Sequence, residues 1–233
     1  MIEPRAGKAF TLIELLVAIA VIGVLMGLLV PVATRVRAAG HATACRGNLR
    51  QMGEGLSLYM EEHRDYIPRR GQGERKVWRI DRPSDWFNAL LPYVDSPPYY
   101  ELYTSGRRPV EGDPHVFICP AAQDPGWHHF FPYAMNMCLS PWIRDFPHNL
   151  RDISSPSTLV FMADAPGPYC STLPSSQPYS VSPRHAGSAN LVFLDGHAQG
   201  FEGAALGCGA GDPKRGDVCW QVDCPGVNYL PRD

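Results

Sequence analysis

From Phe10 to Val30 the chain is apolar without interruption except for Thr11 and one carboxylate, Glu14. As a helix rising ~1.5 Å per residue, this run spans roughly the 30 Å of a bilayer hydrocarbon core. A carboxylate in such a span costs about 2.5–3.5 kcal/mol at the helix centre and less toward the interface. No basic residue follows Glu14 within the span. The group that offsets its charge is therefore expected outside this chain.

The flanks narrow the choice. Met1 to Ala9 is a short polar leader with Arg5 and Lys8. A secretory signal would be cut after the apolar region at small residues, and the only such stretch, Ala38-Ala39-Gly40, lies behind Arg35 and Arg37. Neither that reading nor a plain anchor accounts for Glu14. The stretch Lys8-Ala9-Phe10-Thr11-Leu12-Ile13-Glu14 closely resembles the type IV prepilin and pseudopilin signature. The resemblance implies a membrane peptidase that cuts between Ala9 and Phe10 on the cytoplasmic side and methylates the new amine. Phe10 then becomes the first residue of the mature chain and Glu14 its fifth. Pro31 falls where such chains carry a helix-kinking proline, and Ala9 stands where the family usually has Gly. The implied partners are the prepilin peptidase, other pilin or pseudopilin subunits in a homo- or heteropolymer, and the inner membrane. The amine of a neighbouring subunit would pair with Glu14, because a buried charge is costly mainly when unmatched.

Composition agrees in part. A net charge of −2 and the lack of a basic, aromatic-interleaved stripe exclude nucleic acid as a partner. Arg35, Arg37, Arg46 and Arg50 follow the span, which on the positive-inside rule alone would disfavour an outside head. The peptidase motif and the cysteines outvote that rule. Seven Cys, six of them after residue 100, suit an oxidising compartment such as a periplasm. The odd number leaves at least one unpaired, and Cys45, set apart in a helical stretch, is the candidate; the connectivity of the other six stays open. A zinc site from Cys208, Cys219 and Cys224 is the alternative, although no C-x-x-C pair occurs among them.

Past Pro31, Cys45, Leu49, Met52, Leu56 and Tyr59 follow helical spacing and form one apolar face. Gly40, Gly47, Gly53 and Gly55 weaken that helix, each by up to about 1 kcal/mol, so packing must hold it. Tyr66-Ile67-Pro68 is expected to end it. Downstream, 23 Pro and 22 Gly in the chain as a whole predict a loop-rich head with short strands. Trp86 to Tyr93 reads as a short helix capped by Ser84 or Asp85 and stopped at Pro92. Ser96 to Pro114 reads as irregular, Val116 to Pro120 as a brief strand, and Pro132 to Cys138 as strand or turn. Thr158 to Asp164, without alternation, reads as a buried strand.

Asp195-Gly196 between two strand-like runs predicts a two-residue type I′ hairpin, with Phe193 opposite Ala198 and Leu191 opposite Gly200. The outgoing strand is apolar on both faces and should be interior to its sheet. His185, nine residues, then Asp195-Gly196 resembles the H-x9-DG motif of a large pseudopilin-like subgroup. Cys45 to Gly53, Phe117-Ile118-Cys119-Pro120, Tyr133-Ala134-Met135-Asn136 and Phe161-Met162-Ala163-Asp164 resemble it as well. His185, Asp195, His197 and Asp164 are of the right types for a metal site or an acid/base pair. The preferred reading is structural, with Asp195 serving the turn and His185 fixing the strand ends.

No resident metal or cofactor is expected. Asp212, Asp217 and Asp223 in a glycine-rich stretch would suit calcium, which some major pseudopilins bind in a late loop, but no Asp-x-Asp-x-Asp spacing occurs. The five Trp residues (78, 86, 127, 142 and 220) suit a core better than a sugar-binding surface. No phosphate-binding glycine loop and no G-x-S-x-G elbow is present. The expected architecture is α+β and pilin-like: a long N-terminal helix packed on a loop-rich head with an antiparallel sheet. Residues 1–9 would be a leader, 10–30 the membrane half of the helix, 31–66 its amphipathic half and 67–233 the head. The expected function is that of a structural, non-enzymatic fibre subunit. The rival is an anchored periplasmic enzyme or carbohydrate-binding module using His185 and Asp195.

Overall fold

The computed structural model describes residues 12–71, 76–140, 148–174, 180–206, 215 and 217–221. The chain divides into two compact units, residues 1–40 and 41–233. Helix α1, Leu12–Glu62, supplies the described part of the first and the opening element of the second. It is long and apolar enough to cross a membrane. It also runs through Pro31, a residue that cannot make the backbone bond to the carbonyl four residues back.

In the second unit, the apolar face read from the sequence is the buried one: Cys45, Leu49, Met52, Leu56 and Tyr59 are all enclosed. The helix stops at Glu62, earlier than Tyr66-Ile67-Pro68 suggested. Arg64 and Asp65 take positive φ, and the Asp65 N–H donates to the Met60 carbonyl at 2.8 Å. The chain reverses there before proline is reached.

Strands β1 (Phe131–Asn136), β2 (Val160–Gly167), β3 (Ser171–Thr172), β4 (Ser188–Phe193) and β5 (Ala198–Glu202) form one sheet in the order β3-β1-β2-β4-β5. Four strands pair antiparallel, but β3 lies parallel to β1, so the sheet is mixed rather than wholly antiparallel. Its two faces pack two cores. Tyr133, Met135, Phe161 and Val192 pack with the buried face of α1 and with Trp86, Phe87 and Phe117. Val160, Ala163, Leu191, Phe193 and Phe201 pack with Leu206 and Trp220. Covered on both sides, β2 and β4 need apolar residues at successive positions.

Several local expectations are corrected. Val116 to Pro120 is a turn and not a strand, with Phe117, Ile118 and Cys119 buried: the Ile118 N–H donates to His115 O at 2.8 Å, and Ala122 N–H to Cys119 O at 2.9 Å. The Trp86–Tyr93 helix is shorter, with α2 at Trp86–Ala89 followed by a 3-10 turn at Leu91–Val94. Asp85 precedes α2, but its side chain makes no capping bond. The irregular stretch holds a helix, α3 (Tyr99–Thr104), whose Tyr100 N–H is received by the Asn88 side-chain oxygen at 2.8 Å. Asn88 also donates to Ile80 O and Arg82 O, which ties α2 to α3 and to the loop that precedes α2.

Cys45 is not the unpaired cysteine. It is bonded to Cys119, 74 residues away. A cysteine on the buried stripe of α1 points into the core, and the turn at 116–120 brings Cys119 there. Cys138, on the 3-10 turn after β1, is free, and burial raises its thiol to about 11, so it stays protonated.

Candidate functional site

His185 and Asp195-Gly196 bracket one strand. His185 begins the turn into β4 and Asp195-Gly196 form the turn out of it. Six strand residues at ~3.3 Å each hold the two ends roughly 20 Å apart. His185 and Asp195 therefore do not share one site.

At the entry, His185 and Ser188 exchange both backbone hydrogen bonds at 3.0 Å across Ala186 (φ +52°) and Gly187 (φ +88°). Positive φ at both central residues is the type I′ requirement, so that turn lies here and not at Asp195-Gly196. At the exit, the Phe193 N–H donates to His197 O and the Gly196 N–H to Phe193 O. Gly196 has φ +87°. The loop thus has three residues and closes with a glycine in the left-handed region, a common three-residue hairpin. Asp195 Oδ1 accepts the His197 backbone N–H at 3.1 Å and lies 2.6 Å from His197 Nδ1. The extra loop residue moves the register by one: Val192 faces Ala198 and Leu191 faces Gln199. As a result His197 stacks on Phe193, ring centroids 4.3 Å apart, instead of facing the other side.

Both ends of β4 meet α1. Asn190 Nδ2 donates to Ala42 O at 3.4 Å. At the other end, a Cβ on Gly53 would come within 2.8 Å of Val192 Cγ2 and 2.9 Å of Gly196 Cα. Gly53 is the condition for the hairpin tip to touch the helix, a reason the weak-helix reading did not contain.

Below the entry turn lies a buried polar cluster. Asp164 on β2 and His185 are both enclosed, with Asp164 Oδ2 3.2 Å from His185 Nε2. The same oxygen accepts the Asn190 N–H at 2.7 Å. His185 Nε2 is also 3.6 Å from Cys119 Sγ. Arg184 donates to the Ala165 carbonyl. Burial lowers its affinity for its proton, and the Asp164 charge works the other way. Tyr133 is held well above the usual phenol range, first by burial and then by the Asp164 charge; its hydroxyl contacts Asn48 Nδ2 at 3.3 Å and Cys45 O at 3.4 Å. The atoms Asp164 Oδ1 and His185 Nδ1 are buried with no hydrogen-bond partner. Of this group, sequence reasoning weighed His185 and Asp164. It missed Arg184, Tyr133 and the disulfide. The signal for the last was Cys45's place on the buried face of α1.

The remaining candidates are dispersed. Glu14 is in the first turn of α1 and Pro31 inside it; Ala9 and Phe10 lie outside the described residues. Cys208, Cys224, Asp212 and Asp223 lie outside them too, while Asp217 is paired with Arg215. Trp86 and Trp220 are buried, Trp78 is exposed, and Trp127 carries Lys76 Nζ over its ring at 3.6 Å. Trp142 lies outside the described residues.

Two family models match. The first is the prokaryotic N-terminal methylation motif, over residues 4–30. The chain therefore carries a prepilin-type methylation motif at its N-terminus. The second match, over residues 34–140, is to a family described as a protein of unknown function, DUF1559. It takes in the disulfide, Asn48, Gly53 and β1. No curated protein and no solved structure matches the chain. The motif marks a pilin-like chain processed by a prepilin peptidase and joined to pilin subunits in the general manner of that class. With the apolar helix, it also marks a membrane-anchored chain whose head lies outside the cell membrane.

Proposed function

We propose that this chain is a structural pseudopilin-like subunit, cut before Phe10 and assembled from the inner membrane into a pilus or a type II secretion-like fibre. The observation that carries this reading is the continuity between the methylation motif at residues 4–30 and a helix whose apolar side chains face outward. From Leu12 to Val36 its large apolar residues are 51–75 % exposed. Such a surface needs lipid first and neighbouring helices afterwards, where close packing drives association. Glu14, fifth in the mature chain, would set the register by meeting the new amine of the adjoining subunit. A subunit docked one turn out of place would mismatch two charges in a low-dielectric core, which costs several kcal/mol.

The test is the mature N-terminus, read by intact and peptide mass spectrometry on protein extracted from membranes of cells with a prepilin peptidase. A chain beginning at N-methylated Phe10 supports the reading. A chain beginning near Gly40, or an uncut Met1, overturns it. Glu14→Ala should still enter the membrane but fail to join fibres; normal incorporation of that variant removes the register role.

A further inference from the structure

We propose that Cys45, Cys119, His185 and Asp164 form a zinc site when the chain is reduced, so that the cysteine pair has a second fate besides the disulfide. One ligand atom from each residue, two sulfurs, one imidazole nitrogen and one carboxylate oxygen, lies within 4.8 Å of every other. A tetrahedral zinc with Zn–S of ~2.3 Å and Zn–N of ~2.0 Å holds its ligand atoms about 3.3–3.8 Å apart. Parting the two sulfurs is the main adjustment needed. The four ligands come from α1, the 116–120 turn, β2 and the turn into β4, so the metal would join the same parts of the head that the disulfide joins.

Charge and hydrogen bonding favour this ion. With the disulfide closed, the Asp164 carboxylate is balanced by the Arg184 guanidinium. A dithiol reductant breaks the S–S bond by supplying two electrons and two protons, leaving two neutral thiols, and is itself oxidised to a disulfide. Zinc then displaces both thiol protons into solvent. Two thiolates, one carboxylate and Zn²⁺ sum to −1, again balanced by Arg184. The enclosed cluster stays neutral in both states, which burial demands. Asp164 Oδ1, buried and without a partner, is a donor available to the metal. Newly made chains keep their thiols reduced until they reach an oxidising compartment, and zinc would hold the joint between helix and head during that interval.

The experiment uses the full chain in detergent, reduced with dithiothreitol, supplied with Zn²⁺ and freed of excess metal. The reduced chain should hold one zinc at this site and the oxidised chain none there. X-ray absorption at the zinc edge of the wild-type chain should show two sulfur and two nitrogen or oxygen neighbours. Co²⁺ in place of zinc should give a thiolate charge-transfer band that Cys45→Ser abolishes. His185→Gln and Asp164→Asn should each weaken zinc by about 100-fold or more, beyond what loss of an outer-shell partner costs. A reduced chain without zinc, an all-sulfur or sulfur-free shell, or unchanged affinity in His185→Gln would overturn the proposal. The shell measured on the wild-type chain decides the matter even where a variant does not fold.

Discussion

One helix carries two different surfaces. Along residues 12–36 of α1, every large apolar side chain is exposed, and a Cβ added at Gly23 or Gly27 would meet nothing within 4 Å. Along residues 45–60 the apolar side chains of the stripe Cys45, Leu49, Met52, Leu56, Tyr59 and Met60 are enclosed by the chain's own head, with Leu58 on the outer side, and a Cβ at Gly53 or Gly55 would press on a neighbour at 3.0 Å or less. The same secondary structure leaves its apolar side chains uncovered in one half and packs them against the chain's own residues in the other. Propensity does not distinguish them; the identity of what covers each face does.

The largest effect should come from releasing the second surface. Cys45→Ser opens a loop whose ends are 74 residues apart, and in the chain-entropy account this costs about 4 kcal/mol under oxidising conditions. Thermal unfolding of the full chain in detergent should show it as a large drop in midpoint, with Cys119→Ser matching it and the double variant adding little. A drop under 1 kcal/mol would mean that the joint between helix and head does not depend on the bond. Next in size is Gly53→Ala. The added methyl must displace the Gly196 backbone and not merely a flexible side chain, so a loss of about 1–3 kcal/mol is expected. Hydrogen exchange should rise at Phe193 and Gly196, whose N–H groups close the turn.

These two sites also show what could be read from the chain alone. The apolar run, its motif and the buried stripe were legible because they depend on local period and on one residue type in a fixed place. The turn at Asp195-Gly196 was found, but its type was not: Asp195 prefers to accept the His197 N–H, and that choice added a loop residue and moved β5 by one. The true type I′ turn sits at Ala186-Gly187, where the sequence gives no Asn-Gly or Asp-Gly signal. Cys45–Cys119 and the Asp164–His185 contact join residues far apart in the chain, and no spacing rule reaches them. Gly53 looked like a defect of the helix because its reason lies across space, in Gly196.

The head has its own contrast, expressed in pH. Asp85 is fully buried, neither carboxylate oxygen has a hydrogen-bond partner, and burial pushes it up to about 6 despite Arg82, Arg69 and Arg79 nearby. His129 is pushed down to about 4, by burial first and then by the charges of Arg108 and His128. The signs oppose each other. Between about pH 4 and 6 the folded chain holds a proton on Asp85 that the unfolded chain has released, so stability falls as pH rises and the cost is full above that window. His129 remains neutral in the folded chain where the unfolded chain would protonate it, so its stability contribution is full above about pH 6.5 and is lost as pH falls toward 4. Asp85→Asn should therefore raise stability at pH 7 by about 3 kcal/mol and leave a curve that only rises from pH 4 to 6.5. His129→Gln should leave one that only falls from pH 4 to 6. Identical curves for wild type and Asp85→Asn would show that Asp85 is not enclosed as described.

The smallest expected effect is the sharpest test of the contrast along α1, because it reverses sign within one turn and a half of helix. Gly47 lies among the buried-stripe residues, yet a Cβ there meets nothing within 4 Å. Its side points away from the head, as Gly23 and Gly27 point away from any part of their own chain. Gly47→Ala should then gain up to about 1 kcal/mol from helix propensity alone, while Gly53→Ala, six residues on, loses more than that. In the monomer in detergent the gain should appear in thermal unfolding. Under the proposed assembly, Gly47→Ala reports on neighbouring subunits: if a second copy covers that side of the helix, the methyl that stabilises the monomer will slow incorporation. Equal incorporation of Gly47→Ala and wild type would place subunit contacts on other faces, with the exposed half of α1 left as the assembling surface.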